Sequence, residues 1–325
     1  MDVRLSPEQQ ALRDSVVQVV ERLAPRSVGE LDDGERAAKL DAAVAASGWR
    51  ELRVAEDGGA PLASGVEVAI VAEELARGLA DAPYLGPTLA AELRRLAGRE
   101  APVAGETVAP DGMVAIDAAG AERALVLDGQ RLVEVALGPA DQRIDLTRPS
   151  ALVDPSAERT PAGSLTDDDI IRWTALGLAL TCADLVGAMR GALQLAVDYA
   201  RERRQYGVPI GSFQAVQHLL ADAHVAAEGS RSLALHGAWA VDVLPPAEAL
   251  AAAALAKAYC ARAARSVCET AIQVHGGIGN TWECLAHVYL RRTLLATDLF
   301  GGVGESLDRV LEHHGVGGAH DHGLR

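Results

Sequence analysis

Apolar residues recur with a helical period through the first third of this chain. Between Ser6 and Leu23, the side chains of Leu12, Val16, Val17, Val19 and Val20 fall on one stripe. Ser6 is placed to cap, Pro7 takes the first helical position and Glu8 lies in the first turn. The same period predicts helices over about Glu35–Ser47, Gly65–Arg77 and, after Pro87, Thr88–Ala97; Trp49-Arg50-Glu51-Leu52 leads into a turn at Asp57-Gly58-Gly59. The pattern changes over 98–163. Short apolar runs at Met113–Ile116, Ala124–Leu127 and Leu132–Ala136 are broken by Gly, Pro, Asp and Glu. They read as short strands with a hairpin at Asp128-Gly129, too few for a large sheet.

Helical periodicity returns at 164. Ser164 and Thr166 compete as caps, and Asp167-Asp168-Asp169 set negative charge at the helix start. No proline follows before Glu202, so one helix of about 36 residues, roughly 54 Å long, is predicted. Ser212 caps the next helix, which Pro245-Pro246 ends, and further helices cover about Ala247–His275, Glu283–Thr297 and Glu305–His314. Long striped helices with short connections pack as an antiparallel bundle. The chain therefore reads as mainly α: a helical domain (1–97), a small β-domain (98–163), a four-helix bundle (164–314) and a Gly- and His-rich tail (315–325) expected to be disordered.

Charge narrows the partners. The 45 acidic against 30 basic side chains give a formal −15, which argues against nucleic acid or an anionic membrane surface but leaves room for a local cluster that holds one phosphate. With 3% aromatics, the core must be built from Ala, Leu and Val. Cys182, Cys260, Cys268 and Cys284 form no C-x-x-C pair and read as reduced, packed thiols. Met1-Asp2-Val3-Arg4 begins no apolar signal, and stretches such as Ala249–Ala256 are too short for a bilayer. A soluble, cytoplasmic protein is expected. His313, His314, His320 and His322 read as part of a frayed end rather than a metal site, and no metal is assigned.

Two segments stand out chemically. Arg201-Glu202-Arg203-Arg204-Gln205-Tyr206-Gly207-Val208-Pro209-Ile210-Gly211-Ser212-Phe213-Gln214 places three arginines where the long helix ends and another begins. Guanidinium groups beside the free N–H groups of a helix start suit phosphate oxygens. On charge alone, favourable placement at a helix C-terminus is the preferred account of the arginines. Gln273-Val274-His275-Gly276-Gly277-Ile278-Gly279-Asn280-Thr281-Trp282-Glu283 ends a helix and bares its backbone to close approach. A Schellman-type cap, with Thr281 capping the next helix, is the alternative.

These two segments, in this order and about 60 residues apart, resemble the C-terminal bundle of the acyl-CoA dehydrogenase family. The opening Leu5-Ser6-Pro7-Glu8-Gln9-Gln10-Ala11-Leu12, Val54-Ala55-Glu56-Asp57-Gly58-Gly59 and Ala72-Glu73-Glu74-Leu75-Ala76-Arg77 are similar to that family as well. The resemblance covers nearly the whole chain and is strongest over 180–302. It implies a fold of helical domain, small β-domain and four-helix bundle, with FAD as cofactor at a subunit interface of an oligomer. By resemblance, Arg203 holds the pyrophosphate of a neighbour's flavin, and Tyr206 stands where a Phe is usual. Gln214 and the stretch Gln273, Val274, His275, Gly276 and Gly277 line the ADP half.

The resemblance also shows what is missing. Dehydrogenation needs a carboxylate to take the α-proton while flavin N5 takes the β-hydride. In one branch of the family that glutamate matches Gly301 here; in the other it matches Gly177, followed by Leu178 where an arginine is usual. No Thr-Glu-Pro-x-x-Gly-Ser-Asp-like or Trp-Ile-Thr-like segment is present, and the β-domain is reduced. Arg143-Ile144-Asp145-Leu146-Thr147-Arg148 is expected as the strand that closes it. The family includes heteromeric enzymes of actinobacterial steroid side-chain breakdown, in which one chain carries the base. The resemblance thus implies a base-lacking subunit of an α2β2 acyl-CoA dehydrogenase. It would complete the FAD site of a longer homologous chain that binds most of the acyl-CoA, with a steroid side-chain CoA ester among the candidates. Two alternatives stay open: an active homo-oligomer whose base has moved to Asp298, Glu305 or Asp184, and a flavin-free scaffold. His218, His224 and His236 are too widely spaced to act together. Trp173, Trp239 and Trp282 read as core or interface anchors, and Glu269 and Glu283 as surface or capping carboxylates.

Overall fold

A computed structural model describes residues 4–55, 59–99, 103–140 and 144–316. Glu56-Asp57-Gly58, Arg143 and most of the tail expected to be disordered lie outside the described residues.

Local sequence signals set most helix starts. Helix α1 (Pro7–Leu23) opens on a capping box: Gln9 N donates to Ser6 Oγ at 3.2 Å and Ser6 N to Gln9 Oε1 at 3.0 Å. Asp33 caps α2 (Gly34–Ala46) and Ser64 caps α3 (Gly65–Arg77). Helix α4 (Leu85–Leu96) begins three residues before the expected Thr88. Its cap comes from far along the chain: Asp117 Oδ2 accepts from Tyr84 N and Gly86 N, both at 3.1 Å. No local pattern could announce that acceptor.

The β-region is richer than its apolar runs suggested. Strands β1 (Glu106–Val108), β3 (Arg123–Asp128), β4 (Arg131–Ala136) and β6 (Arg159–Ser164) form one sheet in the order β1-β3-β4-β6. Within it, β1 runs parallel to β3 and the other pairs are antiparallel. A second, two-stranded sheet joins β2 (Val114–Ala115) to β5 (Ala151–Leu152). The expected hairpin is present, with Asp128 paired to Arg131 and Gly129 at φ +60°. The closing strand expected at Arg143–Arg148 is not there: the described residues Ile144–Arg148 form bends. Asp145 Oδ1 accepts from Thr147 N at 2.8 Å and Thr147 Oγ1 at 2.7 Å, so a local Asx turn takes the backbone away from a ladder. The sheet is closed instead by β6.

The bundle is built on α5 (Asp167–Glu202), 36 residues capped by a Thr166–Asp169 capping box; Ser164 ends β6 instead. By length and composition α5 could cross a bilayer, yet 78% of its most apolar window is buried inside the protein, so it is a core helix. After a hairpin of β7 (Arg204–Gln205) and β8 (Val208–Pro209), α6 (Gln214–Val243), α7 (Pro246–His275), α8 (Ala286–Asp298) and α9 (Val303–His313) complete it. Ser212 does not cap α6; its hydroxyl donates to Pro209 O within a single 3₁₀ turn. Nor does Thr281 cap α8, which begins at Ala286. All four cysteines are buried thiols.

Buried ion pairs tie the three regions together. Arg53 bridges Glu92 of α4 and Asp242 of α6. Arg292 of α8 binds Asp184 of α5 at 2.6 Å and donates to Thr147 Oγ1 at 2.8 Å and Ala80 O at 3.2 Å. Arg148 adds a second cation to Asp184 at 3.3 Å.

Candidate functional site

The two singled-out segments meet at one end of the bundle. Tyr199, in the last turn of α5, stacks on His275, in the last turn of α7, with centroids 4.5 Å apart and planes 26° apart. Val274 and Leu285 share an apolar cluster with Tyr199, Ile210 and Val216. The hairpin after α5 and the glycine turn after α7 therefore spring from the same apolar floor.

On the first side, Arg203 ends α5; its N–H donates to Tyr199 O, and its carbonyl accepts from Ile210 N, both at 2.8 Å. Of the three arginines, Arg201 pairs with Asp198 and Arg204 donates to Gly207 O, while Arg203 is exposed with no side-chain partner among the described residues. Between β7 and β8, Tyr206 and Gly207 make a two-residue turn with φ of +52° and +82°. That turn type favours Asn-Gly, and a tyrosine at positive φ is strained. The strain holds out a ring that is 94% exposed and meets Phe213 edge-on at 6.4 Å. Gln214, the first residue of α6, is exposed and unpartnered among the described residues.

On the second side, Gln273 is exposed and likewise unpartnered, and Gly276 (φ +66°, ψ −141°) turns the chain into a 3₁₀ turn, Gly276–Asn280. A Cβ built on Gly276 or Gly277 would meet nothing within 4 Å, whereas one on Gly279 would press on Ile272 O at 2.9 Å. The chain's own packing gives no reason for the missing side chain at Gly277; open space over bare backbone fits a ligand. Val274 and His275 point the other way. Both are buried, and His275 Nδ1 bonds Ala271 O at 2.7 Å. They support the turn from beneath.

The positions that match the family's two bases look quite different. A Cβ on Gly177 would run into the ring of Phe300, which also packs edge-on against Trp173 at 5.3 Å. Phe300 is held at φ +59°, and its carbonyl accepts from Arg309 Nη1 at 2.7 Å. At Gly301 (φ +99°), the place of a Cβ is taken by the carboxylate of Glu305 from the first turn of α9. Lys257 anchors this corner, donating to Ala296 O and Leu299 O where α8 ends; burial pushes its pKa down to about 8. Of the other acids, Asp184 lies fully buried between two guanidinium groups, and Asp298 is exposed at the end of α8. Sequence reading gave no sign of Phe300; a large aromatic beside a glycine pair is an apolar residue in a loop until the fold shows its socket.

Comparison with known proteins bears directly on this geometry. Residues 6–101 match the acyl-CoA dehydrogenase N-terminal domain and residues 174–313 the acyl-CoA dehydrogenase C-terminal domain. The chain belongs to the acyl-CoA dehydrogenase family. It is 31% identical to acyl-CoA dehydrogenase IpdE2 of Mycolicibacterium smegmatis over 94% of this chain and 98% of that one. Its fold is similar to a chain of the ChsE4-ChsE5 complex from Mycobacterium tuberculosis, with TM-score 0.79 and 23% identity over 98% and 100% of the two chains. It is also similar to a chain of the Tcur3481-Tcur3483 steroid ACAD G363A variant, with TM-score 0.78 and 22% identity over 95% and 98%. FAD is the cofactor of this family of oxidoreductases. Arg203, Gln214 and Gln273, whose side chains have no partner among the described residues, and the bare backbone of Gly276 and Gly277 fit the phosphate and ribose groups of such a dinucleotide.

Proposed function

We propose that this chain is the base-lacking subunit of a heteromeric acyl-CoA dehydrogenase and completes the FAD site of a base-bearing partner. One observation carries the reading: both positions where the family keeps its carboxylate are glycines whose side-chain space is taken by Phe300 and Glu305. Flavin would supply the hydride acceptor, and the partner the acid that takes the α-proton. This chain's part is electrostatic and positional. Arg203 would meet the pyrophosphate, Gln214 and Gln273 would hydrogen-bond the ADP half, Tyr206 would flank it, and Gly276 and Gly277 would let it approach the backbone. Val274 and His275 would hold that turn in place. The neighbours with two differently named chains, ChsE4-ChsE5 and Tcur3481-Tcur3483, support an α2β2 assembly, and the steroid ACAD among them supports a steroid side-chain CoA ester as substrate.

The test is reconstitution. This chain should be colourless and inactive when purified alone. Combined with a longer, base-bearing homologue, it should give a yellow complex with two FAD per tetramer that oxidises an acyl-CoA to the 2,3-enoyl-CoA. Flavin uptake and turnover by this chain alone would overturn the reading.

Such a result would favour a second reading, in which Glu305 acts as a relocated base. Its carboxylate lies over Gly301, whereas Asp184 is locked in ion pairs. Glu305→Gln would then abolish turnover; on the partner reading it leaves the rate of the reconstituted complex unchanged.

A further inference from the structure

We propose that Trp282 is the stacking platform for the adenine ring of the dinucleotide held at this end of the bundle. The inference rests on the reading above that the nucleotide half of FAD lies here. Trp282 is 63% exposed, against 3% for Trp49 and 4% for Trp173. An indole left in water needs a reason, and a freely turning ring would be a poor platform. This one is fixed. The Arg291 guanidinium carbon lies 5.7 Å from its centroid, and the His287 ring meets it at 5.1 Å and 82°. Arg291 is in turn steadied by Ile144 O at 3.4 Å.

His287 is suited to that support. Its Nε2 is buried with no hydrogen-bond partner among the described residues, and burial together with Arg291 lowers its pKa, so it packs as a neutral ring. The indole is thus held in place before any ligand arrives, which lowers the ordering cost of binding. Its position matches the task. Trp282 follows directly on the turn whose Gly276 and Gly277 backbone is open, and that turn shares its apolar floor with the hairpin carrying Arg203. Arg203 and the glycine backbone suit phosphate and ribose. Neither offers anything to a purine, whose flat face needs an aromatic surface. Trp282 is the exposed indole at that turn.

The experiment uses the complex with the base-bearing partner. FAD affinity is read from flavin fluorescence for the wild type, Trp282→Ala, Trp282→Phe and Arg203→Ala, and indole fluorescence is followed while ADP is added. Trp282→Ala should weaken FAD binding on the order of tenfold, and Trp282→Phe should recover most of that. ADP should quench a component of the indole emission that Trp282→Ala lacks. Chain association, read by sedimentation, should stay unchanged. If Arg203→Ala loses FAD while Trp282→Ala binds it normally, the platform is refuted and the subunit reading stands. Weaker association of Trp282→Ala with unaltered FAD affinity refutes it too, as the mark of a protein contact. A wild-type complex that takes up no FAD removes both ideas together.

Discussion

Near the start of α5, around Gly177, the space is filled by the chain's own side chains. Phe300 sits where a side chain would be, Trp173 closes on Phe300, the Trp173 indole donates to Leu89 O, and Lys257 ties down the end of α8. Arg203 closes the same helix about 39 Å away. There, among the described residues, a guanidinium has no acid, two glutamines have no acceptors, two glycines face open space and a tyrosine is held out at positive φ. A folded chain gains nothing from leaving its own polar groups and aromatic rings unmatched at one spot while matching them elsewhere. The contrast teaches that the first end is packed by the chain itself, whereas the second leaves its polar groups and backbone open, as the proposed function requires.

Four measurements test that contrast, beginning with the strongest effect. Gly177→Glu should fail to create an active site and should cost about 4 kcal/mol of stability, because it forces a carboxylate into the Phe300 ring. A thermal melt near wild type would show that the first end is still a pocket. Arg203→Ala should lower FAD affinity of the complex about a hundredfold, as expected for a charge-assisted contact, and leave the melt unchanged. A lowered melt with normal FAD binding would make the second end structural. Phe300→Ala should cost about 2 kcal/mol, since a half-buried ring leaves a partial cavity, with FAD affinity untouched.

The smallest effect is one of pH. Lys257 has a folded pKa of about 8 against an ordinary 10.5, because burial disfavours its ammonium. Between those values the unfolded chain binds the extra proton, so stability should rise as pH climbs from about 8 to about 10.5; below 8 the whole cost of burying the charge is present. Lys257→Met should flatten that part of a denaturation-against-pH curve. An unaltered slope would show that the first end holds its lysine without strain.

Much of the fold was written locally. Ser6 with Gln9, and Thr166 followed by 36 residues without proline, announce α1 and α5 from neighbouring side chains alone. What escaped depends on distant partners. Helix α4 starts early because Asp117 reaches it, and Ile144–Arg148 is no strand because Asp145 satisfies the backbone itself. Strand β6, Arg-Thr-Pro-Ala-Gly-Ser, has no apolar alternation, so its pairing with β4 is a tertiary fact. At the other end, the resemblance to the family singled out Arg203, Gln214, Gln273 and the glycines. Which neighbours face outward and which face inward follows from helical phase at a bundle end, and that phase turns Val274 and His275 toward Tyr199.

The Phe300 wedge also couples two distant positions of the chain. Placing an acid at position 177 requires the ring to leave first, and removing the ring alone takes away its packing against Trp173. An acid at 177 and the ring at 300 thus compete for one space, and exchanging one for the other takes two coordinated substitutions.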